Sequence, residues 1–131
     1  MIKFSRSRLQ SIRFALEGWW YVISTQRNTW IHSVASIAVI AIGFWLKLSF
    51  QEWAVIILAI ALVWVVEIIN TSLEVLIDLI SPQHSELAKI SKDVSAAAVL
   101  ISAVSSVIIG LLILGPPLYS KLQLLANLFA Q

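Results

Sequence analysis

The sequence predicts an all-α membrane protein, with three transmembrane helices preceded by an N-terminal amphipathic surface helix. Three observations carry this. The 131 residues are 60% hydrophobic and only 12% charged, against roughly 25% charged in soluble domains. Three apolar runs, separated by short polar segments, approach the ~20 residues that a helix needs to cross a bilayer. Positive charge is concentrated ahead of the first run, at Lys3, Arg6, Arg8, Arg13 and Arg27. A chain of this length forms one domain. It is read as a surface helix over 4–26, spans over 30–48, 53–80 and 86–114, and a tail over 115–131.

In the first segment Leu9, Ile12, Leu16, Trp19 or Trp20, and Ile23 recur at helical spacing, while Arg6, Arg13 and Glu17 take other angles. That is the pattern of a helix lying in the lipid interface. The apolar run 31–46 is short for a span unless helix before His32 or after Lys47 extends it. Residues 46–52 form a tight connection. From Trp53 to Val66 no polar residue intervenes, and the helical pattern continues to Ile80. Ser81-Pro82 ends it, because proline disfavours the helical conformation of the residue before it. The polar segment 81–93 leads to the third span. There Ser95, Ala96, Ala97, Ala98, Ser102, Ser105 and Ser106 are small enough to let helix backbones approach. Gly115-Pro116-Pro117 is expected to terminate this span, leaving a weakly amphipathic tail.

Lys89 and Lys92 lie between the second and third spans, whereas the connection between the first two has only Lys47 and the tail only Lys121. The N-terminus and the 81–93 loop are therefore expected in the cytoplasm and the C-terminus outside. The absence of Cys excludes disulfides and thiol catalysis. The basic start is not followed by the short apolar core and cleavage site of a signal peptide. Nucleic acid is excluded as a partner, since no basic, aromatic platform lies outside the lipid-soluble runs.

The chemistry concentrates at the end of the second span. Glu67, Asn70, Thr71, Glu74 and Asp78 fall at offsets 0, 3, 4, 7 and 11, on one helix face. An acid near the bilayer centre costs on the order of 2.5–3.5 kcal/mol and marks function. Glu74 lies 21 residues beyond Trp53, a rise of ~32 Å, or about one hydrocarbon thickness. Glu74 and Asp78 are thus expected at the cytoplasmic interface, within reach of lipid head groups and soluble nucleotides, with Glu67 two turns deeper. Lys89, Lys92 and Asp93 share a face near the start of the third span. Phosphoryl transfer needs a positioned hydroxyl, a metal on the phosphates and cations for the developing charge. A carboxylate one turn from an amide can serve the first two needs. The four glycines, Gly18, Gly43, Gly110 and Gly115, make no Walker motif, and no soluble-kinase signature is present. A second reading is a non-enzymatic helical membrane protein, such as a small transporter, using Glu67 and Glu74 as a proton or cation site. Clustering of the acids at one interface disfavours it. His32 has no second ligand three or four residues on and reads as an interfacial side chain.

Glu67-Ile-Ile-Asn70-Thr-Ser-Leu-Glu74-Val-Leu-Ile-Asp78, followed by His84-Ser-Glu-Leu-Ala-Lys89-Ile-Ser-Lys92-Asp93, resembles the small bacterial integral-membrane diacylglycerol kinase and undecaprenol kinase family. The resemblance extends from Phe14-Ala-Leu-Glu-Gly18 to Leu114, and Arg27-Asn28-Thr-Trp-Ile31-His32 is similar to the undecaprenol-kinase-like branch. It implies a homotrimer of the bacterial inner or plasma membrane, with active sites shared between neighbours. It implies transfer of the γ-phosphate of ATP, with Mg²⁺, to the hydroxyl of a membrane lipid alcohol. The product would be phosphatidic acid from diacylglycerol or undecaprenyl phosphate from undecaprenol. By the same resemblance Glu74 is the general base or the metal-binding carboxylate, and Asn70 positions nucleotide or lipid. Glu67 and Asp78 support the site, Lys92 faces phosphates, and Asp93 orients Lys92 or the metal. The chain departs from the family at Gln26, where many members carry a metal-site glutamate. Mg²⁺ would then rest more on Glu74, with Glu17 or a water in support. A member that has lost catalysis is the third reading.

Overall fold

The structure, a computed structural model, describes residues 8–83 and 85–129. The expected start of the surface helix at residues 4–7, and His84, lie outside the described residues. Among the described residues four helices follow one another: α1 (Arg8–Thr25), α2 (Arg27–Leu46), α3 (Phe50–Ile80) and α4 (Glu86–Phe129). Helices α2, α3 and α4 are long and apolar enough to cross a membrane, and α1 is not among them.

A single extended residue, Gln26 (φ −97°, ψ 121°), separates α1 from α2. The Thr29 hydroxyl turns back to the Gln26 carbonyl and to those of Val22 and Ile23, both 3.4 Å away. It thereby adds a donor to carbonyls at the end of α1, of which that of Val22 also accepts from the Gln26 N–H at 3.0 Å. Because α2 starts at Arg27, its 20 residues span about 30 Å, enough for the hydrocarbon core. Helix ahead of His32 supplies the length that the apolar run lacks.

Helix α2 ends at Lys47, which takes the left-handed conformation (φ 58°), and the N–H of Leu48 closes on the carbonyl of Gly43 at 3.2 Å. Ser49 and Glu52 then form a reciprocal capping box, which satisfies donors at the start of a helix. This is why α3 begins at Phe50, ahead of the expected residue 53. The two helices meet tightly here: a Cβ on Gly43 would fall 2.9 Å from the Trp53 ring. Helix α3 ends at Ile80, before Ser81-Pro82, as the proline requires.

The expected stop at Gly115-Pro116-Pro117 does not occur, because α4 continues through both prolines to Phe129. The prolines cannot donate to the carbonyls one turn back, but neighbouring groups compensate for such losses in membrane helices. Beyond the prolines the Lys121 ammonium donates to the Trp45 carbonyl at the end of α2 and sits 4.3 Å from the centre of the Trp45 ring. The segment after the prolines is thus anchored on the end of α2. The 44 residues of α4 extend about 66 Å, roughly twice the hydrocarbon thickness.

Inside the bundle, polar residues are as prominent as apolar ones. Val22, Ile56, Ala59, Val63 and Val99 are buried, and so are Thr29, Glu67, Asn70, Thr71, Ser95 and Ser102. Lipid tails are as apolar as leucine, so helix association in a membrane rests on close packing and polar contacts. Ser106 donates across to the Ala59 carbonyl at 3.1 Å, and the Trp64 indole N–H reaches the Ser36 hydroxyl at 3.4 Å. Trp19 meets Trp64 edge to face, with ring centres 5.7 Å apart, fixing α1 against α3. Phe44, Leu58, Leu111 and Leu112 point outward, the residues a hydrocarbon solvent accepts.

Candidate active site

The polar stripe of α3 meets the junction between α1 and α2. Glu74 stands at the meeting point. One carboxylate oxygen accepts from the Asn70 amide at 3.0 Å, and the other accepts from the Gln26 amide at 3.1 Å. Gln26 makes no side-chain cap on α2, which leaves its amide free to reach across to Glu74. A 100° step per residue brings Asn70 and Glu74 together on consecutive turns of α3.

These residues line a cavity of about 260 Å³, which α2 completes through Asn28, Ile31 and His32. Ala96, Val99, Leu100 and Ala103 of α4 form its far wall, and the two alanines leave the space that larger side chains would fill. Three buried polar atoms in this cavity have no hydrogen-bond partner: Asn70 Oδ1, Glu67 Oε2 and His32 Nε2. Buried polar atoms in folded proteins nearly always have partners, so atoms left open in one cavity point to a ligand. His32 Nε2 and Glu67 Oε2 face each other at 4.0 Å, too far for a direct hydrogen bond.

An apolar groove of about 390 Å³ continues from this cavity between α2, α3 and α4, reaching Leu114 and Leu118. His32 and Ala103 line both spaces. The molecule therefore joins a polar chamber to an apolar channel, with His32 at the join.

The remaining expected site residues lie elsewhere. Lys92 donates to Asp78, tying the start of α4 to the end of α3. Lys92 lies four residues before Ala96, one turn along the stripe that lines the cavity. Asp93 lies 3.6 Å from Lys89, so its partner is Lys89. Glu17 is paired with Arg13 at 2.8 Å in a separate groove with Leu9, Ile12, Leu16 and Trp20, and the structure does not bring it to Glu74. Asn28 and His32 join the cavity although neither was assigned a role from sequence. Their signal was the spacing of Asn28, Ile31 and His32, which puts all three on one face of α2.

The sequence profile of prokaryotic diacylglycerol kinases matches residues 13–114. The chain belongs to the prokaryotic diacylglycerol kinase family. It is 43% identical to the undecaprenol kinase of Bacillus subtilis over 109 residues, covering 83% of this chain and 89% of that one. It is also 43% identical to a diacylglycerol kinase of Synechocystis sp. over 113 residues, covering 86% of this chain but only 65% of the longer relative. Identity to the diacylglycerol kinase of Escherichia coli is 33% over 89 residues, covering 63% of this chain and 73% of that one. Membership of this family decides against the transporter reading of the polar stripe: the protein is a lipid kinase of the membrane, and ATP is its co-substrate.

Proposed function

We propose that this kinase phosphorylates a membrane lipid alcohol, diacylglycerol or undecaprenol, at the cavity centred on Glu67, Asn70 and Glu74. The observation that carries this is the join of a polar cavity to an apolar groove at His32. An alcohol with an aliphatic tail needs both, in that order.

The oxygens of Glu74 and Asn70 suit Mg²⁺, which takes oxygen ligands and is held by one or two carboxylates together with substrate phosphates. Glu74 and the open Oδ1 of Asn70 would hold it. Among the described residues no three His, Asp or Glu side chains gather into a metal cage, and a phosphate-bound Mg²⁺ does not require one. When bound, the ion would neutralise charge developing on the transferred phosphoryl group. Glu74 already accepts two amide hydrogen bonds, which orient it as an anchoring carboxylate. Glu67 keeps an open oxygen about 10 Å deeper along α3, on the side of the apolar groove. We therefore assign Glu67 as the acceptor of the lipid hydroxyl proton. The alcohol oxygen bonds to the γ-phosphorus, the bond from that phosphorus to the β–γ bridging oxygen breaks, and ADP leaves. Lys92 is proposed to exchange Asp78 for nucleotide phosphate, with Asp93 holding Lys89 at the rim.

The chain is further proposed to sit in a bacterial inner or plasma membrane as a homotrimer, with sites shared between neighbours. Its N-terminus would face the cytoplasm. The family resemblance supports the trimer, and the Lys and Arg distribution supports the orientation.

Purified protein with radiolabelled ATP is expected to label both or one of dioleoylglycerol and undecaprenol, and Glu74→Gln to lose nearly all of that transfer with its fold intact. Light scattering on the same sample should count three chains. Glu74→Gln with near wild-type turnover would remove Glu74 from the site, and wild-type protein that labels neither lipid would remove the assignment.

Gln26→Glu would add a second carboxylate beside Glu74, so it is expected to lower the Mg²⁺ concentration for half-maximal activity. Glu17→Gln, on a residue already paired with Arg13, should leave that concentration unchanged. Mg²⁺ titration at saturating ATP measures both, and an unaltered value in Gln26→Glu would put residue 26 outside the metal site.

Orientation is read by labelling intact cells with an impermeant maleimide, the chain having no cysteine of its own. Gln123→Cys should be labelled and Ser11→Cys protected. The reverse pattern would invert the topology.

A further inference from the structure

We infer that His32 is the positioning residue for the acceptor alcohol, gripping its hydroxyl jointly with Glu67. The inference rests on the kinase reading above and assigns a role to a residue which that reading leaves without one.

Geometry carries it. His32 Nε2 and Glu67 Oε2 are both buried, both without partners, and 4.0 Å apart. The gap is too wide for a direct bond and suits one bridging oxygen. Two hydrogen bonds of about 2.8 Å from a single oxygen span that distance at an angle of roughly 90°. The side chains are 15% and 2% exposed respectively, so bulk water does not compensate them. Position supports the same conclusion. His32 belongs both to the polar cavity and to the apolar groove, so a lipid with its tail in the groove and its oxygen in the cavity passes this residue. The other residue shared by both spaces, Ala103, has no polar atom in its side chain.

The valences of an alcohol oxygen fit this grip. Its O–H donates to Glu67 Oε2, and one lone pair accepts from the N–H that His32 presents when its ring proton sits on Nε2. The remaining lone pair is directed by those two contacts and by the C–O bond, and it is the one that attacks the γ-phosphorus. As that bond forms, the hydroxyl proton passes to Glu67 and the bridging oxygen leaves with ADP. His32 neither gains nor loses a proton. Its contribution is orientation, which is effective only when the reacting atoms are held close and aligned.

The test separates the lipid side from the nucleotide side. His32→Phe keeps the ring and removes the donor, whereas His32→Gln returns an N–H at the position of Nε2. His32→Phe is expected to raise the KM for the lipid alcohol, or lower kcat, by about tenfold with the KM for ATP little changed. His32→Gln should recover most of that loss. In the wild-type protein, ¹⁵N-histidine NMR in detergent should show the His32 Nε2 signal shifting on addition of dioleoylglycerol or undecaprenol but not of ATP. His84, the other histidine, is removed by His84→Gln for assignment. An unshifted signal on saturation with the lipid that the enzyme phosphorylates overturns the grip, even if the variants fail to fold. So does active wild-type enzyme beside an unimpaired His32→Phe, or a loss in His32→Phe that falls equally on ATP and lipid. Wild-type protein that phosphorylates neither alcohol overturns the kinase reading itself, and this inference with it.

Discussion

The paired amide contacts on Glu74 are the constraint on which the rest of the molecule turns. A half-buried carboxylate is costly unless it is hydrogen-bonded, and Glu74 receives one bond from its own helix and one from Gln26. The second bond exists only because the chain breaks for a single residue between α1 and α2. That break frees Gln26 from a capping role and starts α2 early enough for it to cross the membrane. The same short segment thus sets the length of a span and completes the surroundings of a half-buried acid. Thr29, with none of its surface exposed, holds the break by bonding back to the carbonyls around it.

The bundle is polar where it is closed and apolar where it is open. Lipid offers no hydrophobic gain for pressing apolar helix faces together, so serine, threonine and tryptophan side chains make the cross-helix contacts. The same polar interior holds the candidate site. Its open atoms, Asn70 Oδ1 at one level and Glu67 Oε2 at another, divide the cavity into a side facing Glu74 and a side facing the apolar groove. This division matches a reaction between a charged nucleotide and an apolar alcohol, which must enter from different phases.

Much of this was legible from the residues. The offsets of Glu67, Asn70, Glu74 and Asp78 put them on one face, and the structure keeps them there, because helical pitch is local and needs no tertiary information. The ends of α3 followed from local chemistry too, although the capping box of Ser49 and Glu52 moved its start to Phe50. What could not be read locally were the contacts between helices. Proline chemistry alone ends α4 at Gly115-Pro116-Pro117, yet the helix runs on to Phe129, and beyond the prolines Lys121 meets Trp45, 76 positions back in the chain. Glu17 looked available for a metal until Arg13 claimed it. His32 looked interfacial because the group it faces, Glu67, lies on a different helix. Asp93 sits beside Lys92 in sequence, yet it faces Lys89, while Lys92 reaches back to Asp78.

The central claim is that Glu74 serves the nucleotide and Glu67 serves the lipid. Calorimetric titration of purified protein with ATP and Mg²⁺, in the absence of any lipid alcohol, tests it most directly. Glu74→Gln should weaken nucleotide binding by about tenfold or more, and Glu67→Gln should bind as the wild type does. Equal loss of nucleotide affinity in the two variants would contradict the division of labour.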